Sequence, residues 1–289
     1  MPREFDQPTS NRTFVLSALQ NRIRLDGRDF LQGRDHELIF GEDLGVVECR
    51  LGKTRVIAVV NGVIGRPQRA DKPYEGALTI HSELSPMTAP IYDTSRPTDE
   101  EVLITRMLDK VLRRSLAVDR ESLCILAGQR VWNLKLTFHF LSDEGNMLDC
   151  ACLAGIVALR HYRRPDVEVV GEELIVHDPA ERAPLPLAIH HIPICVTFAF
   201  FEDSANPVVD PTHLETVLSS SRLHIALTHL SSTSPTLCVL QKAGGLPLSE
   251  AELKKCVDVA ISRAKDLAEW LEAAIAKDWE KRKVVVEVR

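Results

Sequence analysis

The stretch "MLDCACLAGIVALRHY", Met147 to Tyr162, constrains the fold more than any other part of the sequence. It has helical length and almost no polar face, so a helix built from it must be covered on several sides. It is also shorter than the roughly 18 to 20 apolar residues that span a bilayer. The cover must therefore come from protein. Just upstream, "RVWNLKLTFHFL" alternates: Trp132, Leu134, Leu136, Phe138 and Phe140 fall on one face, Asn133, Lys135, Thr137 and His139 on the other. That is the pattern of a half-buried strand. A strand with one apolar face, followed through the turn "SDEGN" by a helix apolar all round, predicts an α+β fold with the helix between sheets.

The flanking sequence supplies the other layers. "HELIF", "GVVECRLG" and "TRVIAVVNGVI" read as strands, the last two joined at hairpin length by "GKT". "ALTIHSELS" is a further strand, and "VEVVGEELIVHD" a small ribbon. "PICVTFAFF", "RLHIALTHL" and "TLCVLQKAGG" give three more strands. "SNRTFVLSALQNRIR" predicts an N-terminal helix capped by Ser10, after which "RLDGRD" turns the chain. Thr98-x-x-Glu101 and Ser249-x-x-Glu252 are capping boxes for two amphipathic helices. The second carries a stripe of Leu253, Val257, Ala260, Ala264, Leu267, Leu271 and Ile275. The expected organisation is an N-terminal helix over 1–22, a first half over 23–185 and a second half over 186–289.

Composition narrows the function. The 289 residues carry a formal net charge of −6, so nucleic-acid contact has to rest on a local basic patch or a shared surface. Seven cysteines, an odd number scattered through apolar patterns, predict reduced thiols in a cytosolic or nuclear protein. "MPREFDQPTSNRTF" has no apolar stretch after its charges, which predicts no secretory signal. No zinc spacing, P-loop, dinucleotide fingerprint or nucleophile elbow appears. His190 and His191 are neighbours on a strand and point to opposite faces, so backbone-satisfied histidines are the plainer reading. "VVDPTHLETVLSSSRLHIAL" is the one acidic stretch that raises catalysis, through Asp210 and Glu215.

Several segments in order, "LDGR", "GKTRV", "ESLCILAGQRVW", "DEGNMLDCACLAGIVAL", "RRPDV", "LAIHHIPICVTFAFF", "VVDP" and "KAGGLPLSEAELKKC", span nearly the whole chain. Together they resemble the RNase PH-like subunits of the eukaryotic RNA exosome. The resemblance implies an RNase PH-like fold of two β-α-β-type halves packed into one domain, of the ribosomal protein S5 domain 2-like architecture. Active relatives attack the 3′ end of RNA with inorganic phosphate. That chemistry needs arginines to hold the phosphate. It also needs carboxylates to hold a divalent metal or move a proton.

Here the resemblance places Thr216 where active members have the aspartate of a Glu-Asp pair. It places Arg222 where they have a second aspartate. Asp210 and Glu215 then match flanking positions. Arg130 matches the arginine of a phosphate-binding Gly-x-Arg turn, followed by Val131 in place of a hydroxyl residue, and Arg106 falls near another active-site arginine. The implied role is a non-catalytic ring subunit with no cofactor and no metal, contacting single-stranded RNA through Arg66, Arg69, Arg106, Lys110, Arg113 and Arg130. The implied partners are an RNase PH-like subunit of the opposite class, the other ring subunits, S1/KH-type cap subunits and a separate exoribonuclease. No membrane is involved, and the implied location is nucleus, nucleolus and cytoplasm. The alternatives are an active phosphate-dependent 3′–5′ exoribonuclease and a free RNA-binding module; the acidic charge and missing stacking motifs weigh against the latter.

Overall fold

The computed structural model describes residues 8–68, 71–92, 97–170, 173–178, 181–202, 204–228, 235–245 and 247–282. The chain opens with α1 (Thr9–Gln20) and continues through β1 (His36–Phe40), β2 (Val46–Leu51), β3 (Thr54–Gly65) and β4 (Ala77–Leu84). Next come α2 (Asp99–Leu108), a π-helical turn over Asp109–Arg114, β5 (Cys124–Leu126), β6 (Arg130–Ser142) and α3 (Met147–His161). Four short strands follow: β7 (Arg163–Arg164), β8 (Val167–Val170), β9 (Glu173–Val176) and β10 (Leu185–Pro186). The second half holds β11 (Pro193–Phe201), β12 (Ser204–Val209), α4 (His213–Leu218), β13 (Ser221–Thr228), β14 (Thr236–Gly244) and α5 (Glu250–Arg282).

Two sheets form the layers. The first runs β1-β2-β3-β6-β4, with β5 added alongside β6. Only the β4–β6 pairing in it is parallel; α2, the π-helical turn and β5 make up the crossover connection that such a pair requires. The second sheet runs β12-β11-β13-β14, antiparallel throughout. Helix α3 packs on β2 and β3 from one side and β11 from the other, so the apolar helix sits between the sheets as its sequence requires. Its approach to β6 is close enough to demand glycine: a Cβ on Gly155 would stand 2.6 Å from Phe138 Cζ. All five apolar positions of the alternating strand face this core.

Two local expectations change. Ser10 does not cap α1. The helix begins at Thr9, directly after Pro8, whose extended backbone (ψ 135°) breaks helical geometry while its carbonyl accepts the first helical N–H groups. Ser10 is therefore inside the first turn. The helix capped by Thr98 is α-helical only to Leu108 and then widens into the π-helical turn. Such turns are rare and shift the side chains that follow out of α-helical register. The Ser249–Glu252 box forms as expected, and Thr212 and Glu215 form a further one on α4.

Candidate functional site

The acids of "VVDPTHLETVL" are spoken for. Arg24, only 2% exposed, makes a two-pronged bond to Glu215, Nε to Oε1 at 2.9 Å and Nη2 to Oε2 at 2.7 Å. Its remaining donors reach the carbonyls of Gln32, Val209 and Asp210. Asp210 accepts from Arg28 Nη1 at 3.0 Å, from Arg34 Nε at 2.9 Å and Nη2 at 2.7 Å, and from Asn146 Nδ2 at 2.7 Å. Burial alone would raise the Asp210 pKa, but the hydrogen bonds and charge of Arg34 hold it well below the usual carboxylate range. These paired, desolvated acids act as a latch between the segment after α1 and the second sheet. Their oxygens are already engaged by arginines, which makes them poor metal ligands and poor bases.

The positions assigned to missing catalytic acids lie a short distance on. Thr216 sits in α4 with its hydroxyl buried and without a partner among the described residues. Arg222 is on β13 between Ala199 and Ala243 of the neighbouring strands, small residues that leave room for it. Its Nη1 stands 4.0 Å from Glu100 Oε1, in the first turn of α2. The Tyr92 hydroxyl lies 3.1 Å from Glu100 Oε2 and 3.2 Å from Asp143 Oδ2, and His213 Nδ1 is 3.3 Å from the same Asp143 oxygen. The hydrogen bond to Asp143 raises the His213 pKa. Burial pushes Asp143 up, yet His213 and the Gly145 N–H bring it below its ordinary value.

Behind Arg222 runs a buried polar chain. Thr197 Oγ1 donates to Asp149 Oδ1 at 2.7 Å and lies 2.9 Å from His224 Nδ1. With that hydroxyl proton committed to Asp149, Nδ1–H of His224 is the donor to Thr197. Burial, then the charge of Arg222, pushes the His224 pKa down to about 4, so the ring is neutral. Asp149 is pushed up to about 6 by its own burial.

The basic candidates separate into two groups. Arg106 and Lys110 line a groove of about 450 Å³ between α2 with its π-helical turn and β14. Leu103, Met107, Arg114 and Gln241 share it, and Lys110 Nζ donates to Gln241 Oε1 at 2.6 Å. Arg113 turns to Asp109, with Nη2 2.8 Å from Oδ2. Arg66 is exposed at the end of β3, next to the start of β6, where Arg130 is also exposed. Arg69 lies outside the described residues.

Arg130, matched above to a phosphate-binding turn, lies at the end of β6 away from the acids. Arg130 opens the 13-residue β6, and Asp143 follows its far end. At about 3.3 Å per residue the two are roughly 40 Å apart. Sequence reading also passed over Arg24, Arg28 and Arg34, although "RLDGRDFLQGRD" interleaves its arginines with acids. Nothing local signals Tyr92, Asp143, His213 or Gln241.

Two family models cover most of this fold. Domain 1 of the 3′ exoribonuclease (RNase PH) family matches residues 32–165, and domain 2 of the same family matches residues 191–263. The chain belongs to the 3′ exoribonuclease family. Among its relatives, the fission-yeast (Schizosaccharomyces pombe) exosome complex component rrp45 is 38% identical over 98% of this chain and 95% of that protein. The human exosome complex component RRP45 is 38% identical over 96% of this chain, which spans 63% of the human protein's length. A solved Archaeoglobus fulgidus exosome chain, from a structure with RNA bound to the active site, superposes with a TM-score of 0.77 at 29% identity. The match covers 90% of this chain and 97% of that one. Within the RNase PH fold, the latch gains a plain meaning. Arg34 belongs to the domain 1 match and Asp210 to domain 2, whereas Arg24 and Arg28 precede both.

Proposed function

We propose that this protein is a non-catalytic RNase PH-like subunit of an RNA exosome ring. It pairs with an RNase PH-like subunit of the opposite class and guides single-stranded RNA toward a separate exoribonuclease. The observation that carries the non-catalytic reading is the state of the acids. Asp210 and Glu215 are consumed by three arginines, and the position that the family resemblance assigns to a second catalytic aspartate is Arg222, facing Glu100. A guanidinium there repels a cation and leaves no base. The ring role is supported by the names of relatives similar over nearly the whole chain and by the archaeal exosome chain of the same fold.

RNA contact falls to Arg106 and Lys110 on the groove, to Arg66 and Arg130 at the β3–β6 end, and to Arg69, which lies outside the described residues, with Arg113 held by Asp109. The working partners are the other ring subunits and S1/KH-type caps, in nucleus, nucleolus and cytoplasm. The test is affinity purification of the chain from its own cells under native conditions. Stoichiometric recovery with other RNase PH-like and S1/KH-type proteins is the expected result. Recovery alone, with phosphate-dependent release of nucleotides from RNA, would replace this reading by the active-exoribonuclease one.

A further inference from the structure

The structure assigns a binding site for a divalent transition metal, zinc or a neighbour of it, to His81, Glu83 and His139. Glu83 and His139 are paired directly across the parallel β4–β6 ladder, and His81 is two residues before Glu83 on the same face. Their neighbours Ser82, Leu84, Phe138 and Phe140 point into the core, so the three side chains stand together on the solvent side of the first sheet. Glu83 already bridges the two rings: Oε1 is 3.5 Å from His81 Nε2, and Oε2 is 3.1 Å from His139 Nδ1. Donors on adjacent corners of a tetrahedral zinc with bonds of about 2.0–2.2 Å stand roughly 3.4 Å apart. Each contact is close to one such edge but runs through a different carboxylate oxygen, so a single Glu83 oxygen has to turn between the two rings to share an ion with them.

Among the described residues no group of three is already arranged to hold a metal ion, so closing this one takes side-chain rotation. The side chains are free to rotate, being 53%, 53% and 43% exposed for His81, Glu83 and His139. The backbone beneath them does not have to move: β6 is bonded on both sides, to β3 and to β4. Two imidazoles with one carboxylate suit zinc, nickel or copper better than the all-oxygen shells of calcium and magnesium. Three protein ligands leave a fourth position for water or for a side chain from another protein. As two surface ion pairs alone, the cluster would contribute almost nothing.

Titration calorimetry of the tag-free full chain with zinc chloride, and the visible spectrum of the chain with cobalt(II), test this. The expected result is one saturable equivalent with the intense bands of a tetrahedral cobalt centre. His81→Asn or His139→Asn weakens it at least about tenfold, Glu83→Gln weakens it, and the double histidine variant abolishes it. Because these side chains are exposed, circular dichroism and melting of the metal-free variants stay as in the parent. His191→Asn is the control for a rival set of soft donors, the His191–Cys238 contact at 3.9 Å, and leaves binding intact. Absence of saturable binding, or binding that follows His191 in place of His81 and His139, overturns the assignment.

Discussion

At the scale of single residues, the arginine latch dominates. Removing one member of a buried ion pair strands the other without water, at a cost of about 3–5 kcal/mol. Arg24→Ala is therefore expected to destabilise by that amount in chemical denaturation. Arg24→Met combined with Glu215→Leu recovers only part of it: no lone charge remains, but the carbonyls of Gln32, Val209 and Asp210 and the α4 capping box lose their partners. The histidines set an acid limit. His36 and His224 are both held near pKa 4, chiefly by burial, against 6.5 when free. The unfolded chain binds those protons first, so stability falls as pH drops from 6.5 toward 4. Asp149, raised to about 6, takes its proton first in the folded state and so adds stability as pH drops below 6. Two groups oppose one, and a shallow decline is the expected net. Asp149→Asn removes the opposing group, so thermal melts from pH 7 to pH 4.5 fall more steeply than the parent's; parallel curves would contradict this. None of this was legible in the sequence. Arg24 and Glu215 are 191 positions apart, and periodicity assigns a face to a residue but not a partner.

At the scale of elements, much more could be read ahead. Helix α3 was unambiguous because apolar residues all around a short helix admit one environment, and β6 because five apolar residues alternate. What the pattern does not give are ends: the start of α1, the change to π-helix at Asp109, and the end of β6 at which Arg130 stands. A motif read along a strand says nothing about which end of a 13-residue strand meets the next element. The separation gives a testable division of the RNA surface. Arg106→Glu with Lys110→Glu, and independently Arg66→Glu with Arg130→Glu, should weaken crosslinking to every single-stranded RNA in the assembled complex. Each RNA phosphate that is no longer neutralised lowers the salt slope by about one unit. Arg113→Glu, already paired with Asp109, is expected to do little to RNA. Packing where α3 meets the first sheet allows a separate check. Gly155→Val drives two methyl groups against Phe138 and Leu112, and overpacking of this kind costs about 1–3 kcal/mol.

At the scale of the whole molecule, two sheets close over α3 while α5 covers β11 and β13. The latch from Arg24, Arg28 and Arg34 binds the N-terminal segment and domain 1 to domain 2. Edge strand β14 keeps one side unpaired among the described strands and carries exposed Leu237 and Leu240. An apolar open edge is an association hazard for a lone chain. Co-expression with the opposite-class RNase PH-like subunit is expected to give a soluble one-to-one complex with a raised melting temperature. The central claim, that this RNase PH fold has kept its architecture and given up its chemistry, meets its most direct test in a phosphorolysis assay. The purified chain is incubated with single-stranded RNA, magnesium and excess inorganic phosphate, and the products are resolved by chromatography. The account predicts intact RNA and no nucleoside diphosphates at any phosphate concentration; release of nucleoside diphosphates that rises with phosphate, in protein free of contaminating nuclease, would contradict it.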